Sequence, residues 1–140
     1  MMKKVEFYVD GVKGKQRPRA RMINGHPVIY TPRETKDYEK QIADAYLEAG
    51  GELFPKDVPI RVVVFIFHAV PKATSKKKRA EMLDQLTRPM KKPDVDNVVK
   101  CLDGLNGIAF EDDSQIVEID AKKFWSNQDY LKVIVSDASL

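Results

Sequence analysis

At 140 residues, with 43% apolar and 32% charged residues and a formal charge of +3, the chain has the make-up of one folded domain spanning residues 1–140. That composition excludes a disordered or low-complexity protein, and the single cysteine, Cys101, excludes an internal disulfide and a cysteine-based zinc site. The longest apolar stretch, residues 60–70, is broken by Arg61 and His68 and is too short to span a bilayer; no apolar segment of the secretory kind follows Lys3 and Lys4, so a cytoplasmic protein without a membrane segment is expected.

Val5, Phe7 and Val9 alternate ahead of Gly11 and predict a first strand. A basic loop follows, then a hairpin turning at Asn24-Gly25, the strongest short hairpin signal. Thr31 as cap and Pro32 in the first turn open a helix carrying Tyr38, Ile42, Ala45 and Tyr46 at helical spacing, and Gly50-Gly51 stop it. The β-branched and aromatic run IRVVVFIFHAV predicts a strand buried on both faces or central in its sheet, ended by Pro71. Ser75 caps a short basic helix. After the loop KKPDVDN, the stripe Val98, Val99, Leu102 and Leu105 predicts a third helix, terminated by Gly104 and Gly107. Two strands, SQIVEIDAKKFW and YLKVIVSDA, flank the polar turn SNQD. The fold class is α+β: one compact domain with a mostly antiparallel or mixed sheet and about three helices.

Charge is distributed in blocks. Residues 11–36 hold Lys13, Lys15, Arg17, Arg19, Arg21, Arg33 and Lys36 against Glu34 alone, a local net of +6. Residues 72–92 hold Lys72, Lys76, Lys77, Lys78, Arg79, Arg88, Lys91 and Lys92 against Glu81 and Asp84, again +6. Residues 94–120 reverse the sign: Asp94, Asp96, Asp103, Glu111, Asp112, Asp113, Glu118 and Asp120 stand against Lys100, a net of −7. Basic flanks attract a polyanion through counterion release. A simple nucleic-acid binder gains nothing from the acidic block, because crowded carboxylates repel one another and the phosphates alike.

Asp94 and Asp96 fall where a loop meets a helix, a position that favours ionised carboxylates accepting free N–H groups. Asp96, Lys100 and Asp103 share one exposed face at i, i+4 and i+7. If the strand that follows pairs beside this helix, its start can bring one member of the Asp112-Asp113 pair up to Asp94 and Asp96. Such a site is oxygen-only, which suits Mg²⁺ or, as a substitute, Mn²⁺ with a phosphate completing the shell. Lys100 is then the fixed cation facing that phosphate. Each acid also has an ordinary explanation: a helix cap, a turn residue, or an i, i+4 ion pair worth about 0.3–0.5 kcal/mol. The combination with basic flanks favours metal chemistry. An EF-hand is excluded, since Val98 and Val99 occupy the fifth and sixth positions counted from Asp94.

KKPDVDNVVKCLDGLNG followed by EDDSQIVEIDAKK resembles the signature of the RusA family of Holliday-junction resolvases, crossover junction endodeoxyribonucleases of bacteria and phages. The family pattern is Asp-x-Asp-Asn-x-x-Lys, a helix ending near Asp-x-Leu-x-Gly, then Asp-Asp-x-Gln-Val. All of it is present except that Ile116 replaces the valine. KGKQRPRAR, YTPRETKDYE and VPKATSKKKR extend the likeness more weakly. The resemblance implies a small homodimer that cuts two opposed strands of four-way junction DNA with Mg²⁺, in recombination and repair. It implies Asp94, Asp96 and Asp113 as catalytic metal ligands, Asp112 as a supporting acid at the metal, Lys100 as the essential lysine and Asn97 in a supporting role. Charge marks Lys15, Arg17, Arg19, Arg21, Lys76, Lys77, Lys78, Arg79, Lys91 and Lys92 as the DNA-binding set.

His26, His68 and Cys101 read as structural, and Phe124 and Trp125 as core or interface aromatics. The rival function is a non-catalytic binder of branched or duplex DNA, which removal of the Asp96 charge would leave binding and without activity to lose. An Asp-x-Asp glycosyltransferase is disfavoured, because the chain is too small for the nucleotide-binding domain such enzymes need.

Overall fold

The computed structural model describes residues 4–140. In chain order the elements are β1 (Lys4–Asp10), β2 (Arg19–Ile23), β3 (His26–Tyr30), α1 (Arg33–Glu48), β4 (Ile60–Ala69), α2 (Lys76–Leu83), α3 (Val95–Lys100), β5 (Ile116–Ser126) and β6 (Tyr130–Asp137). Lys3, part of the predicted first strand, lies outside the described residues.

Strand β4 organises the molecule. It is an inner strand of a four-stranded sheet ordered β1-β6-β4-β5, antiparallel to β6 and parallel to β5. Its alternate residues Ile60, Val62, Val64 and Ile66 are fully buried, while Val63, Phe65 and Phe67 on the other face are half-buried. The strand is therefore central, but only one face is sealed. That face meets Phe7 and Val9 of β1, Leu131 and Val133 of β6, and Tyr38, Ile42 and Tyr46 of α1 in one core. Complete burial of each such side chain contributes roughly 1.5–3 kcal/mol.

β5 and β6 flank the turn SNQD as expected but are not partners, because β4 lies between them. The turn arches over the end of β4, where the Asp129 carboxylate accepts the Ala69 N–H at 2.7 Å. A parallel pair needs a long crossover. Here the crossover is the stretch from β4 to β5, and it carries α2, α3 and nearly all of the acidic block.

Two helix boundaries differ from expectation. Pro32, not Thr31, is the N-cap of α1, with no side-chain cap; its carbonyl accepts the Lys36 N–H. Proline's fixed φ suits the turn into the helix without a hydroxyl. Gly104 does not terminate the third helix: α3 tightens into a 3-10 turn, Cys101–Leu105, that contains it. A Cβ at Gly104 would stand 2.3 Å from the Glu39 carbonyl oxygen, so glycine is there to let the turn press against α1. Elsewhere the local signals hold. Ser75 caps α2 by accepting the Lys78 N–H at 3.3 Å, and Asn24 and Gly25 turn the β2–β3 hairpin at φ of 51° and 78°.

Candidate active site

Three anchors position the site. The basic loop after β1 is a strap drawn across α3. The Lys15 N–H donates to the Asn97 carbonyl at 2.9 Å and the Gln16 N–H to Thr35 Oγ1 at 3.0 Å. Gly14 passes so close to Pro93 and Asn97 that a Cβ would meet theirs at 2.8 and 3.1 Å. The Lys15 ammonium donates to Asp103 at 2.8 Å and lies 3.5 Å from Glu39. Burial works against its charge, but Asp103 and Glu39 outweigh that and raise its pKa above the ordinary lysine value.

Gln115 is the second anchor. Its side-chain N–H groups donate to the carbonyls of Pro55 and Val58 at 3.0 and 3.1 Å, while its oxygen accepts the Glu111 N–H at 2.9 Å. The acidic turn is thus pinned to the loop before β4. Within it Asp112 accepts the Ser114 N–H at 3.0 Å and completes a capping box with Gln115. Hydrogen bonding to Ser114 holds the Asp112 carboxyl below its usual pKa.

The third anchor is Lys123 on β5, which sequence reasoning did not single out. Its ammonium donates to the Lys91 carbonyl at 2.5 Å, and its own carbonyl accepts from Arg88 Nε at 2.5 Å. The segment leading to Asp94 is thereby tied to the strand that Asp113 precedes. Burial lowers the Lys123 pKa, the Asp94 charge opposes that shift, and Lys91 adds to it. The sequence signal was present but ambiguous, because Lys122-Lys123 in an exposed strand reads as solubilising charge.

The anchors sort the acids. Asp103 is paired with Lys15, Asp112 caps a turn, Glu118 pairs with Arg61, and Asp120 lies 3.5 Å from Lys122. Asp96 is only loosely opposed by Lys100 at 3.9 Å, with both side chains mostly exposed. Among the described residues the carboxylates of Asp94, Glu111 and Asp113 have no hydrogen bond and no ion pair within 4 Å. Asp94 occupies the N-cap of α3, yet its side chain makes no cap bond; its carbonyl accepts the Asn97 and Val98 N–H groups instead.

Lys100 stands between two grooves. One, of about 450 Å³, is lined by Lys15, Gln16, Arg17, Pro18, Asp96, Asn97 and Lys100. The other, of about 240 Å³, is lined by Lys100, Asp103 and Asp113 with Val99, Leu102, Ile116 and Ile119. β5 does run beside α3, but it brings Asp113 to Lys100 and Asp103; no three acids or histidines among the described residues stand close enough to hold a metal together. A groove of about 480 Å³ between β1 and α1 is lined by Asp10, Asp37, Asp44 and Glu48 with Lys40, and no motif residue borders it.

Of the cationic set, Arg17, Arg19, Lys76, Lys77, Lys78, Lys91 and Lys92 form no ion pair among the described residues, and Arg21 lies over the Tyr30 ring at 5.1 Å. Arg79 donates to the Pro71 carbonyl. Of the residues set aside as structural, Cys101 and His68 are buried, Phe124 and Trp125 are half-buried, and His26 is exposed on β3. Cys101 is buried, which pushes its thiol pKa up to about 12. His68 is buried, and burial foremost lowers its pKa. Phe124 stacks on Phe67 beneath Arg88, and the Trp125 backbone is clasped by the Gln85 amide.

A small α+β chain with a basic strap, an exposed lysine and unpartnered carboxylates on one crossover is the setting in which comparison with known proteins becomes informative. Residues 11–136 match the sequence profile described as Endodeoxyribonuclease RusA, and the chain belongs to that family. It is 32% identical over 139 residues to the uncharacterized protein YqaN of Bacillus subtilis (strain 168), covering 96% of this chain and 97% of that protein. It is also 27% identical over 135 residues to a crossover junction endodeoxyribonuclease RusA of Lactococcus phage r1t, covering 94% and 95%.

Proposed function

We propose that the protein is a divalent-metal-dependent endodeoxyribonuclease that resolves four-way DNA junctions by paired nicks in recombination and repair, acting in the cytoplasm as a homodimer. The observation that carries this reading is the sorting of the acids. Among the described residues, partners take Asp103, Asp112, Glu118 and Asp120, and leave Asp94, Glu111 and Asp113 bare and Asp96 loosely held. Asp94, Asp96 and Asp113 are the family-pattern aspartates, and Lys100 lies beside the two grooves that Asp96 and Asp113 border.

The donor set suits Mg²⁺ or Mn²⁺, which take one or two carboxylates and complete their shell with waters and phosphate oxygens. One or two of Asp94, Asp96 and Asp113 would hold the ion, since the three do not stand close enough to hold it together, with Asp112 in support by fixing the turn. When bound, the cation supplies Lewis-acid polarisation of the phosphate and an activated water. The chain's own part is positioning and charge. Lys100, held off Asp96 by 3.9 Å, is free to move onto a phosphate oxygen and offset charge that develops there. Asn97, fixed by its carbonyl to the strap, lines the first groove. Arg17 and the lysines of α2 hold flanking phosphates. A junction presents two equivalent strands, which calls for two sites related by a two-fold axis.

The test is cleavage of a labelled synthetic four-way junction beside a duplex of the same arm sequence, with Mg²⁺ or EDTA, for the parent chain and Asp96→Asn. Paired nicks in the junction alone, requiring Mg²⁺ and absent in the variant, are expected. Tight junction binding with no cleavage under any divalent metal would sink the enzymatic reading and leave a branched-DNA binder.

A further inference from the structure

The β2–β3 hairpin stands apart from the sheet, and among the described residues β2 and β3 pair only with each other. Isolated two-stranded hairpins are marginal in water, so its two faces are informative. The register puts Arg19 opposite Tyr30, Arg21 opposite Val28 and Ile23 opposite His26 on one face. Ala20 opposite Ile29 and Met22 opposite Pro27 form the other. The first face carries two arginines without an ion pair, one of them over the Tyr30 ring. The second is wholly apolar and open, with Met22 66% and Ile29 76% exposed. Residues 11–33 contain no aspartate or glutamate, and the ribbon continues directly from Arg17 and Pro18 at the lip of the Lys100 groove.

We propose that this ribbon is an arm that enters a groove of the duplex next to the cut strand. Arg19 and Arg21 lie on the phosphates, and Met22, Pro27 and Ile29 lie against sugars and base edges. The inference rests on the endodeoxyribonuclease reading and names the element that holds the substrate there. Charge complementarity selects DNA as the occupant, since the arm brings cations and no acid to a site whose own acids repel phosphate. Size agrees: five-residue strands span about 17 Å and a two-stranded ribbon fits a major groove of about 12 Å. Apolar side chains of this kind also serve as groove contacts and wedges in architectural DNA-binding proteins. Addition of a strand from a second copy is disfavoured, because Pro27 removes a donor from β3.

The test is fluorescence anisotropy with a labelled duplex and a labelled four-way junction in EDTA, across a salt series, alongside sedimentation to give the mass in solution. Three chains are compared: the parent, Arg19→Ala/Arg21→Ala, and Met22→Ser/Ile29→Ser. The four substituted positions are all solvent-exposed, and melting curves check that the variants fold. The arginine variant should lower the slope of log affinity against log salt by roughly two, about one for each phosphate left without its arginine. The apolar variant should weaken binding roughly tenfold with the slope and the mass unchanged. A slope and affinity equal to the parent's in both variants overturns the proposal. So does a fall in mass of the apolar variant with the arginine variant keeping the parent's slope, which assigns the arm to a second copy. A parent chain that binds neither DNA removes the endodeoxyribonuclease reading as well, whereas a parent that binds and variants that match it remove only the arm.

Discussion

The crossover between β4 and β5 and the β2–β3 arm both leave the sheet, and they are secured in opposite ways. The crossover has little regular structure between α3 and β5, yet Lys15, Gln115 and Lys123 tie it down from three directions. The arm has a complete ladder of its own and, among the described residues, no such tie beyond Pro18. An irregular segment must have its groups held from outside if it is to present carboxylates at fixed positions, since a loop has no internal ladder to do so. A ribbon that reaches for a long, uniform polyanion needs only its own shape. On the roles proposed above, rigidity is placed where atoms must be aligned, and reach where charge must be gathered.

The sharpest way to break this contrast is at the Asp112-Asp113 pair, two identical neighbours with different partners. Asp113→Asn should lower junction cleavage at least a hundredfold and leave the melting temperature near the parent's, because the Asp113 carboxylate has no partner to lose. Asp112→Asn retains an acceptor for the Ser114 N–H and should keep most activity. Equal losses in rate assays of the two variants would erase the distinction drawn between them.

Next in size is Gln115→Ala, which strips the turn of two donors and an acceptor. A loss of about 1–3 kcal/mol in denaturant unfolding is expected, with slower cleavage as the turn comes loose. Lys123→Met should act more gently: a severalfold lower rate and a raised Mg²⁺ requirement, largely restored by Lys123→Arg, which keeps charge and donor. A Mg²⁺ titration identical to the parent's would make Lys123 a purely structural tie.

The smallest effect concerns Lys15. Its pKa is raised in the folded chain, so its stabilisation is fully present below the unfolded lysine value of 10.5 and is lost as pH rises through the folded pKa. Unfolding free energy measured on rising alkaline pH should therefore fall more steeply in the parent than in Lys15→Met.

Much of this was legible in sequence because it depends on short-range chemistry. Alternation in Val5, Phe7 and Val9, the Asn24-Gly25 turn and the Ser75 cap are each decided within a few residues. The family pattern likewise singles out Asp94, Asp96, Lys100 and Asp113, all of which fall on the crossover between β4 and β5. What stayed hidden was long-range. Nothing near SNQD says that β4 will lie between the strands on either side, and no local rule pairs Lys15 with a carboxylate 88 residues away. The Asp94 side chain was expected to accept backbone N–H groups at its helix start, yet it accepts none. Gly104 looked like a stop because a glycine needed for close approach to α1 is indistinguishable in sequence from one that ends a helix.

The pairing of β1 with β6 sets Lys4 opposite Ser136, and β6 is also what joins β1 to β4. During synthesis, then, β1 has no partner in the sheet that backs the crossover until β6 has been made. A contact of such sequence separation closes late and slowly. Until then the sheet does not connect the strap that follows β1 with the acids that precede β5. On the function proposed above, a half-made copy would carry its early basic block, and so hold DNA loosely, before it has the completed sheet behind the crossover with which to cut.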